Sequence, residues 1–191
     1  MKTIYFVRHA EPDRTVEDEV KRPLSLKGQK QSKKLSEYFV NKRLNYIYCS
    51  PYVRTRQTAN YISNNNNIPI FEVNALHERV ISKEWIPTLN FTEYSYKQWK
   101  DRSYKISTGE SLNEAFNRFK DAVEKIISST DENGTVVIVT HATVISLFLN
   151  YIDSNFNWDS FCRISTPDVF KIIFNSENII KWEHIDFSKE V

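Results

Sequence analysis

Cysteine is scarce: Cys49 and Cys162 are the two thiols among 191 residues, far apart in the chain. Two cysteines make neither a disulfide framework nor a thiolate zinc cage, and such usage suits a reducing cytosol. Net charge is scarce as well. Lysine and arginine number 26 against 24 acidic residues, a formal charge of +2, so no global field draws the chain toward nucleic acid or a membrane surface. Any work done by basic groups has to be local. No apolar run approaches the roughly 18 to 20 residues that a membrane span needs. Met1-Lys2 leads straight into a strand pattern with no charged-then-apolar leader. A soluble, cytoplasmic protein is the expectation. Repeats and linkers are absent, and residues 1–191 read most simply as one domain. The four histidines include no His-x-x-x-His pair and sit in no acidic cluster, so neither metal nor cofactor is expected.

What the chain does have is apolar material in strand-like and helix-like patterns. Hydrophobic residues make up 40% of it, with 12 phenylalanines, enough for a two-sided core. Thr3 to Val7 reads as a buried strand that hands over to Arg8-His9, and Pro12 keeps the segment from continuing regularly. Thr135 to Thr140 repeats the design and delivers His141-Ala142. In open α/β sheets the carboxyl ends of strands are where ligands bind, so two strands ending in His-Ala predict one shared site.

Between them, residues 11–24 read as a charged surface loop carrying Lys21 and Arg22. Ser25 is placed to cap a helix in which Gly28, Ser32, Leu35 and Phe39 fall at helical spacing. Asn45 to Cys49 is a short strand. Ser50-Pro51 reads as an N-cap and first helical residue for a helix over Tyr52 to Ile62, followed by a polar turn at Asn64 to Asn67 and a strand at Pro69 to Val73. Residues 79–110 are the least regular part. Trp85, Tyr94, Tyr96, Trp99 and Tyr104 stand there among Arg79, Lys83, Lys97, Lys100, Arg102 and Lys105, against Glu84, Glu93, Asp101 and Glu110. So small a basic excess favours an insertion anchored by its aromatics over a single-strand nucleic-acid surface, and as a long connection it is expected to cover the site in part. Ser111-x-x-Glu114 is a capping-box pattern opening a helix with Leu112, Ala115, Phe119, Val123 and Ile126 on one face. Val144 to Leu149 should be a buried helix, and Val169 to Phe174 with Ile179 to Trp182 a hairpin or neighbouring strands. Strands alternating with helices predict α/β with a mainly parallel sheet.

The pieces delivered to the sheet edge are Arg8, His9, Arg54 and His141. Arg54 lies in the first turn or so of its helix, where free N–H groups and the positive dipole end favour an anion, while Arg56 should face elsewhere. Two guanidiniums match a phosphate dianion in charge and shape. Neighbouring positive charge disfavours protonation of His9 and leaves a lone pair for attack on phosphorus, which would give a phosphohistidine. His141 is a candidate donor to the non-bridging oxygens. A carboxyl group has to protonate the leaving alkoxide and later activate water, and residue type alone does not choose it among 24.

Arg8-His9-Ala10-Glu11 resembles the Arg-His-Gly-Glu signature of the histidine phosphatase superfamily, also called the phosphoglycerate mutase-like family. Ser50 to Ala59 is similar to its second block, Leu76-His77-Glu78 to its acid-bearing segment and Thr140-His141-Ala142 to its second histidine, all in the family's order. The resemblance implies a three-layer α/β/α sandwich around a mostly parallel sheet. It implies His9 as phosphorylated nucleophile, Arg8, Arg54 and His141 as phosphate binders, Glu78 as proton donor, and no metal. Glu11 and Glu84 are the other candidates for the acid, while His77 and His184 read as structural. Ala10 stands where glycine is common and Ala142-Thr143 where Gly-Gly is, which predicts a stiffer backbone near both histidines. Arg79-Val80 after Glu78 departs from the mutase pattern, and Gly109-Glu110-Ser111 matches a further family block. The expected function is therefore a metal-independent phosphomonoesterase on a small phosphorylated metabolite. The rivals are a phosphoglycerate-type mutase and a non-catalytic phosphate-binding regulatory module.

Overall fold

A computed structural model describes residues 1–82, 86, 89–106, 108–176 and 178–186, which leaves Lys83, Glu84 and Trp85 of the aromatic stretch outside the described residues. Its centre is a six-stranded sheet made of β1 (Lys2–Arg8), β2 (Tyr46–Cys49), β3 (Ile70–Glu72), β4 (Thr135–Thr140), β5 (Asp168–Asn175) and β6 (Asn178–Ile185). The order is β3-β2-β4-β1-β5-β6. β3, β2, β4 and β1 run parallel, and the β5–β6 hairpin adds to β1 antiparallel. The sequence predicts the hairpin and the mainly parallel sheet correctly.

Alternating side chains of the central strands feed two cores. Ile4, Phe6, Val136 and Ile138 face one side and meet Phe119, Val123 and Ile126 of α4 (Leu112–Ser129) and Val144, Ile145 and Phe148 of α5 (Ala142–Ile152). Tyr5, Val7, Val137 and Val139 face the other and meet Leu35 and Phe39 of α1 (Leu26–Phe39) and Ala59 and Ile62 of α2 (Val53–Asn66). Helices on both faces of one sheet make three layers, and strands covered on both faces carry continuous apolar runs, as β1 does over Ile4 to Val7 and β4 over Val136 to Val139. Burial of side chains such as Phe6 and Phe119, both fully enclosed, contributes about 1.5–3 kcal/mol each.

Local signals explain most helix ends. Ser25 Oγ accepts from Gly28 N at the start of α1, and Ser111 with Glu114 forms the reciprocal capping box of α4. Three readings need correction. α2 begins at Val53 with Tyr52 as its N-cap, because the Ser50 hydroxyl is taken up by Tyr52 N at 3.3 Å and by His141 at 2.8 Å. α2 also runs through Asn66, so the asparagine run is helical until Asn67 turns left-handed at φ 54°, a conformation asparagine tolerates. And residues 79–110 contain a helix, α3 (Phe91–Lys100), capped by Asn90; its buried residues are Tyr94, Ser95 and Gln98, too polar to show an apolar period. α6 (Trp158–Arg163), capped by Asn157, also went unread.

The aromatics of this region do anchor it. Tyr94 is buried, Trp99 packs against Leu112, Ala115 and Leu147, and Trp99 and Tyr96 meet Phe161 and Trp158 of α6 at 5.8 and 5.4 Å. The 11–24 loop is less of a surface loop than expected. Lys21 is exposed, but the Arg22 side chain is only 15% exposed and paired with Glu19.

Close approach of α1 to the chain leaving β1 depends on Gly28, where an added Cβ would lie 2.1 Å from the Glu11 carbonyl oxygen. Gly28→Ala is expected to lower stability by about 1–3 kcal/mol through overpacking, read as a fall in the denaturant midpoint at unchanged slope.

Candidate active site

Pairing of β1 with β4 puts Arg8 opposite Thr140, so the next residue of each strand comes out at the same edge. The His9 N–H donates to the Thr140 carbonyl at 3.0 Å, and the two imidazole centroids are 5.2 Å apart. His9 is 5% exposed and His141 fully buried. Between them comes Arg54 from the first turn of α2, itself 4% exposed. Its Nε donates to His9 Nε2 at 3.0 Å and its terminal Nη2 lies 3.4 Å from His141 Nδ1. Arg56 points away to Glu72, as its spacing requires.

These contacts define the chemistry of His9. Its Nδ1 lies 2.7 Å from the Ala10 carbonyl oxygen, which can only accept, so Nδ1 carries the proton and Nε2 keeps a lone pair. Burial, then the charges of Arg54 and Arg8, hold its pKa well below the usual histidine value. His141 is lowered in the same way, by burial first and Arg54 second. Its Nε2 contacts Ser50 Oγ at 2.8 Å. A hydroxyl can donate or accept, so His141 can present at Nδ1 either a lone pair to Arg54 or an N–H to an anion.

Arg8 is fixed by its Nη1, which donates to the Ile164 and Ser165 carbonyls at 2.7 and 3.1 Å; its buried Nε has no hydrogen-bond partner among the described residues. The Glu78 carboxylate arrives from the loop after the 3-10 turn Asn74–Leu76. It accepts from Arg79 N at 2.8 Å and from Thr143 N, in the first turn of α5, at 3.2 Å. That turn follows His141, so the Glu78 carboxylate is tied to the start of the helix that carries the second histidine as its N-cap. Glu11 is held elsewhere, by Ser25 Oγ at 3.0 Å and Lys27 at 2.9 Å, and Glu84 lies outside the described residues. Of the five expected residues, His9, Arg54 and His141 touch one another, Arg8 directly precedes His9 at the end of β1, and Glu78 bonds the helix turn that follows His141. The alanine substitutions introduce no left-handed backbone: the positive-φ residues among those described are Arg43, Asn67, Asn133 and Ser176. His77 turns its Nδ1 to the Glu78 carbonyl at 2.7 Å and stacks on Tyr52, while His184 pairs with Asp168 at 2.6 Å.

Sequence reasoning missed several partners. Thr58, one turn beyond Arg54 on the same helix face, accepts from Ala10 N at 3.1 Å; the i, i+4 spacing was a signal for it. Tyr52 packs its ring 4.9 Å from that of His141, and Arg54 lies over the same ring. Glu19, 59% exposed, reaches in from the 11–24 loop: its carbonyl accepts from Arg54 Nη1 and its carboxylate pairs with Arg54 Nη2 at 3.2 Å and Arg22 at 2.5 Å. An acidic residue of a charged loop gives no sign in sequence that it will occupy an arginine. Among the described residues, no group of three or more His, Cys, Asp or Glu is placed to hold a metal.

Comparison with known proteins agrees with the geometry. The model of the histidine phosphatase superfamily (branch 1) matches residues 4–173. The chain belongs to this superfamily. It is 30% identical over 156 residues to phosphoserine phosphatase 1 of Hydrogenobacter thermophilus, covering 74% of this chain and 71% of that protein. It is 23% identical over 165 residues to a probable phosphoglycerate mutase, GpmB, of Serratia proteamaculans, covering 80% and 75%. Among solved structures, a mycobacterial glucosyl-3-phosphoglycerate phosphatase superposes with a TM-score of 0.80 over 97% of each chain at 16% identity, which shows the same phosphoglycerate mutase-like fold.

Two measurements check the electrostatics of this superfamily member. In histidine-labelled protein titrated by NMR, His9 and His141 should remain neutral at pH 6, since a lowered pKa moves protonation to more acidic pH. His184, raised by its hydrogen bond to Asp168, should titrate above 6.5, the ordinary histidine value. Because Glu19 occupies the Arg54 edge open to an anion, Glu19→Gln should tighten inorganic phosphate binding by about 2- to 10-fold in calorimetry, by raising the binding-competent fraction.

Proposed function

We propose that this protein is a metal-independent phosphomonoesterase that works through phospho-His9 on a small phosphorylated metabolite in the cytoplasm. The observation that carries the reading is the lone pair of His9 Nε2, held against the guanidinium of Arg54. In the reaction, Arg54 Nε turns from His9 Nε2 to a phosphate oxygen, and the freed lone pair of Nε2 attacks phosphorus and forms the N–P bond as the bond to the leaving oxygen breaks. Arg8, Arg54 and His141 Nδ1–H bind the three non-bridging oxygens and offset the charge that builds on them. Protonated Glu78 transfers its proton to the leaving alkoxide. The resulting carboxylate then takes a proton from water, which attacks phosphorus and releases inorganic phosphate from His9. Two permanent guanidinium charges supply what a bridging cation supplies in other phosphoryl-transfer sites.

Phosphoserine and glucosyl-3-phosphoglycerate, the substrates named for two of the similar proteins, are both small phosphorylated metabolites, and the substrate class proposed here follows them. The resemblance to a probable phosphoglycerate mutase keeps one rival alive, a mutase that returns the phosphoryl group to a second hydroxyl. Residues 79–110 are proposed to border the leaving-group side of the site as part of the same domain, since Arg79, next to Glu78, is anchored on Gln98 and Ser95 of α3.

Turnover of an aryl phosphate is expected to survive excess chelator, and acid quench should trap phosphate on His9. His9→Ala should lower kcat by about 10⁴-fold or more. Full activity of that variant would overturn the proposal, and isomerisation of a phosphoglycerate faster than phosphate release would favour the mutase.

A further inference from the structure

Glu78 stands on a loop outside the sheet, tied to it by the Thr140 hydroxyl, which donates to the Leu76 carbonyl at 2.7 Å, two residues before the acid; the segment on the far side of Glu78 has to be held by other groups. We infer that Glu110 and Arg118 are positioning residues that hold this loop so that the Glu78 carboxyl stays within reach of the leaving oxygen; the inference rests on the reading of Glu78 as proton donor.

The observations concern both flanks of residue 78. From α4, Arg118 Nη1 donates to the carbonyl oxygens of Ala75 and His77 at 2.6 and 3.1 Å. The rest of the guanidinium forms a two-pronged pair with Glu110, Nε to Oε1 and Nη2 to Oε2, both at 2.9 Å. Glu110 Oε2 also accepts from Val80 N at 2.9 Å, and Glu110 N donates to the Val80 carbonyl at 2.7 Å. Backbone groups at 75, 77 and 80 are thus tied to one ion pair, on both sides of the acid. The side chains are only 19% and 21% exposed, so water and salt weaken the pair less than they weaken a surface pair. Burial alone would push the Glu110 carboxyl up, but Arg118 and the Val80 N–H outweigh it and hold it below the usual range.

Neighbouring residues suit the same task. An added Cβ at Gly109 would lie 2.0 Å from the Ile81 carbonyl oxygen, so only glycine lets the Glu110 segment come this close to the acid-bearing loop. Gln98 Nε2 donates to the Glu110 carbonyl at 3.0 Å, and the Ser111 capping box fixes the start of the helix on which Arg118 sits. The Gly109-Glu110-Ser111 run therefore builds a brace for Glu78, 31 to 33 positions earlier in the chain.

A brace for the acid has a signature that a merely structural pair lacks. Proton donation matters when the leaving group is an alkoxide and little when it departs as a stable aryl oxide, so loss of position must appear selectively with alkyl phosphates. The test is the rate of phospho-His9 formation, by rapid quench in single turnovers, on an alkyl phosphate and on a nitrophenyl phosphate. Glu110→Gln and Arg118→Met are expected to slow the alkyl reaction by about 10- to 100-fold and to leave the aryl reaction near wild type. Arg118→Lys should recover part of the loss. Combined with Glu78→Gln, Glu110→Gln should add no further loss on the alkyl substrate, because both act through one group. Should Arg118→Met fail to fold, Glu110→Gln and Arg118→Lys carry the same comparison. Equal slowing of both substrates, or full additivity with Glu78→Gln, would overturn the brace while leaving Glu78 as the acid. Absence of any alkyl selectivity in Glu78→Gln itself would remove the reading of Glu78, and the brace with it.

Discussion

The site depends on a buried cation lodged between two imidazoles. Arg54 reaches His9 Nε2 with one nitrogen and His141 Nδ1 with another, in a place where neither histidine is open to solvent. An enclosed guanidinium is costly unless its donors are satisfied. Here the lone pairs of the histidines satisfy part of it and Glu19 much of the rest. The consequence runs in both directions. Burial first, and Arg54 with it, keeps the imidazoles neutral, and the neutral imidazoles supply acceptors that let Arg54 stay buried. In the proposed reaction a phosphate dianion replaces the Glu19 carboxylate and brings the negative charge that Arg8 and Arg54 otherwise lack.

What makes the arrangement possible is the register of two parallel strands. β1 and β4 lie more than a hundred residues apart in sequence, yet Arg8 faces Thr140 across the ladder, so the residues that follow leave the sheet together. A shift of one residue would turn every β1 side chain to the opposite face and set Tyr5 and Val7 into the core now filled by Ile4 and Phe6. Core packing and site geometry are therefore one constraint. α2 joins them, because Ala59 and Ile62 pack under the sheet while Arg54 and Thr58, on the same helix, serve the edge.

The part of this that could be read from the residues is the part governed by local periodicity. The apolar strands ending in Arg8-His9 and His141, the Ser25 and Ser111 caps and the buried α5 carry their signals within a few residues of themselves. The resemblance to a family supplied Glu78, whose surroundings are assembled from distant segments. What stayed unread depends on tertiary contact. Ser50 looks like a helix cap because Ser-Pro usually is one, but a buried histidine claims its hydroxyl. Glu19 and Arg22 look like solvated loop charges, yet Glu19 pairs with both Arg22 and the buried Arg54. α3 hides because its buried face includes Ser95 and Gln98, which bind Arg79 instead of filling an apolar core.

The two halves of the site are held by different physics. His9 and His141 hang from a hydrogen-bonded ladder with cores on both faces, so the proposed nucleophile and phosphate cradle shift only if the sheet does. Glu78 hangs from a loop whose backbone is tied by side chains, chiefly those of Arg118 and Glu110. A phosphate group is the same in every substrate, whereas the leaving group differs from one to the next. In the proposed reaction the rigid half therefore meets the invariant part of the substrate and the side-chain-tied half the variable part. On that division, a change of specificity need not disturb the nucleophile at all: it requires only that residues around the acid-bearing loop and α3 be replaced, at positions the ladder between β1 and β4 does not touch.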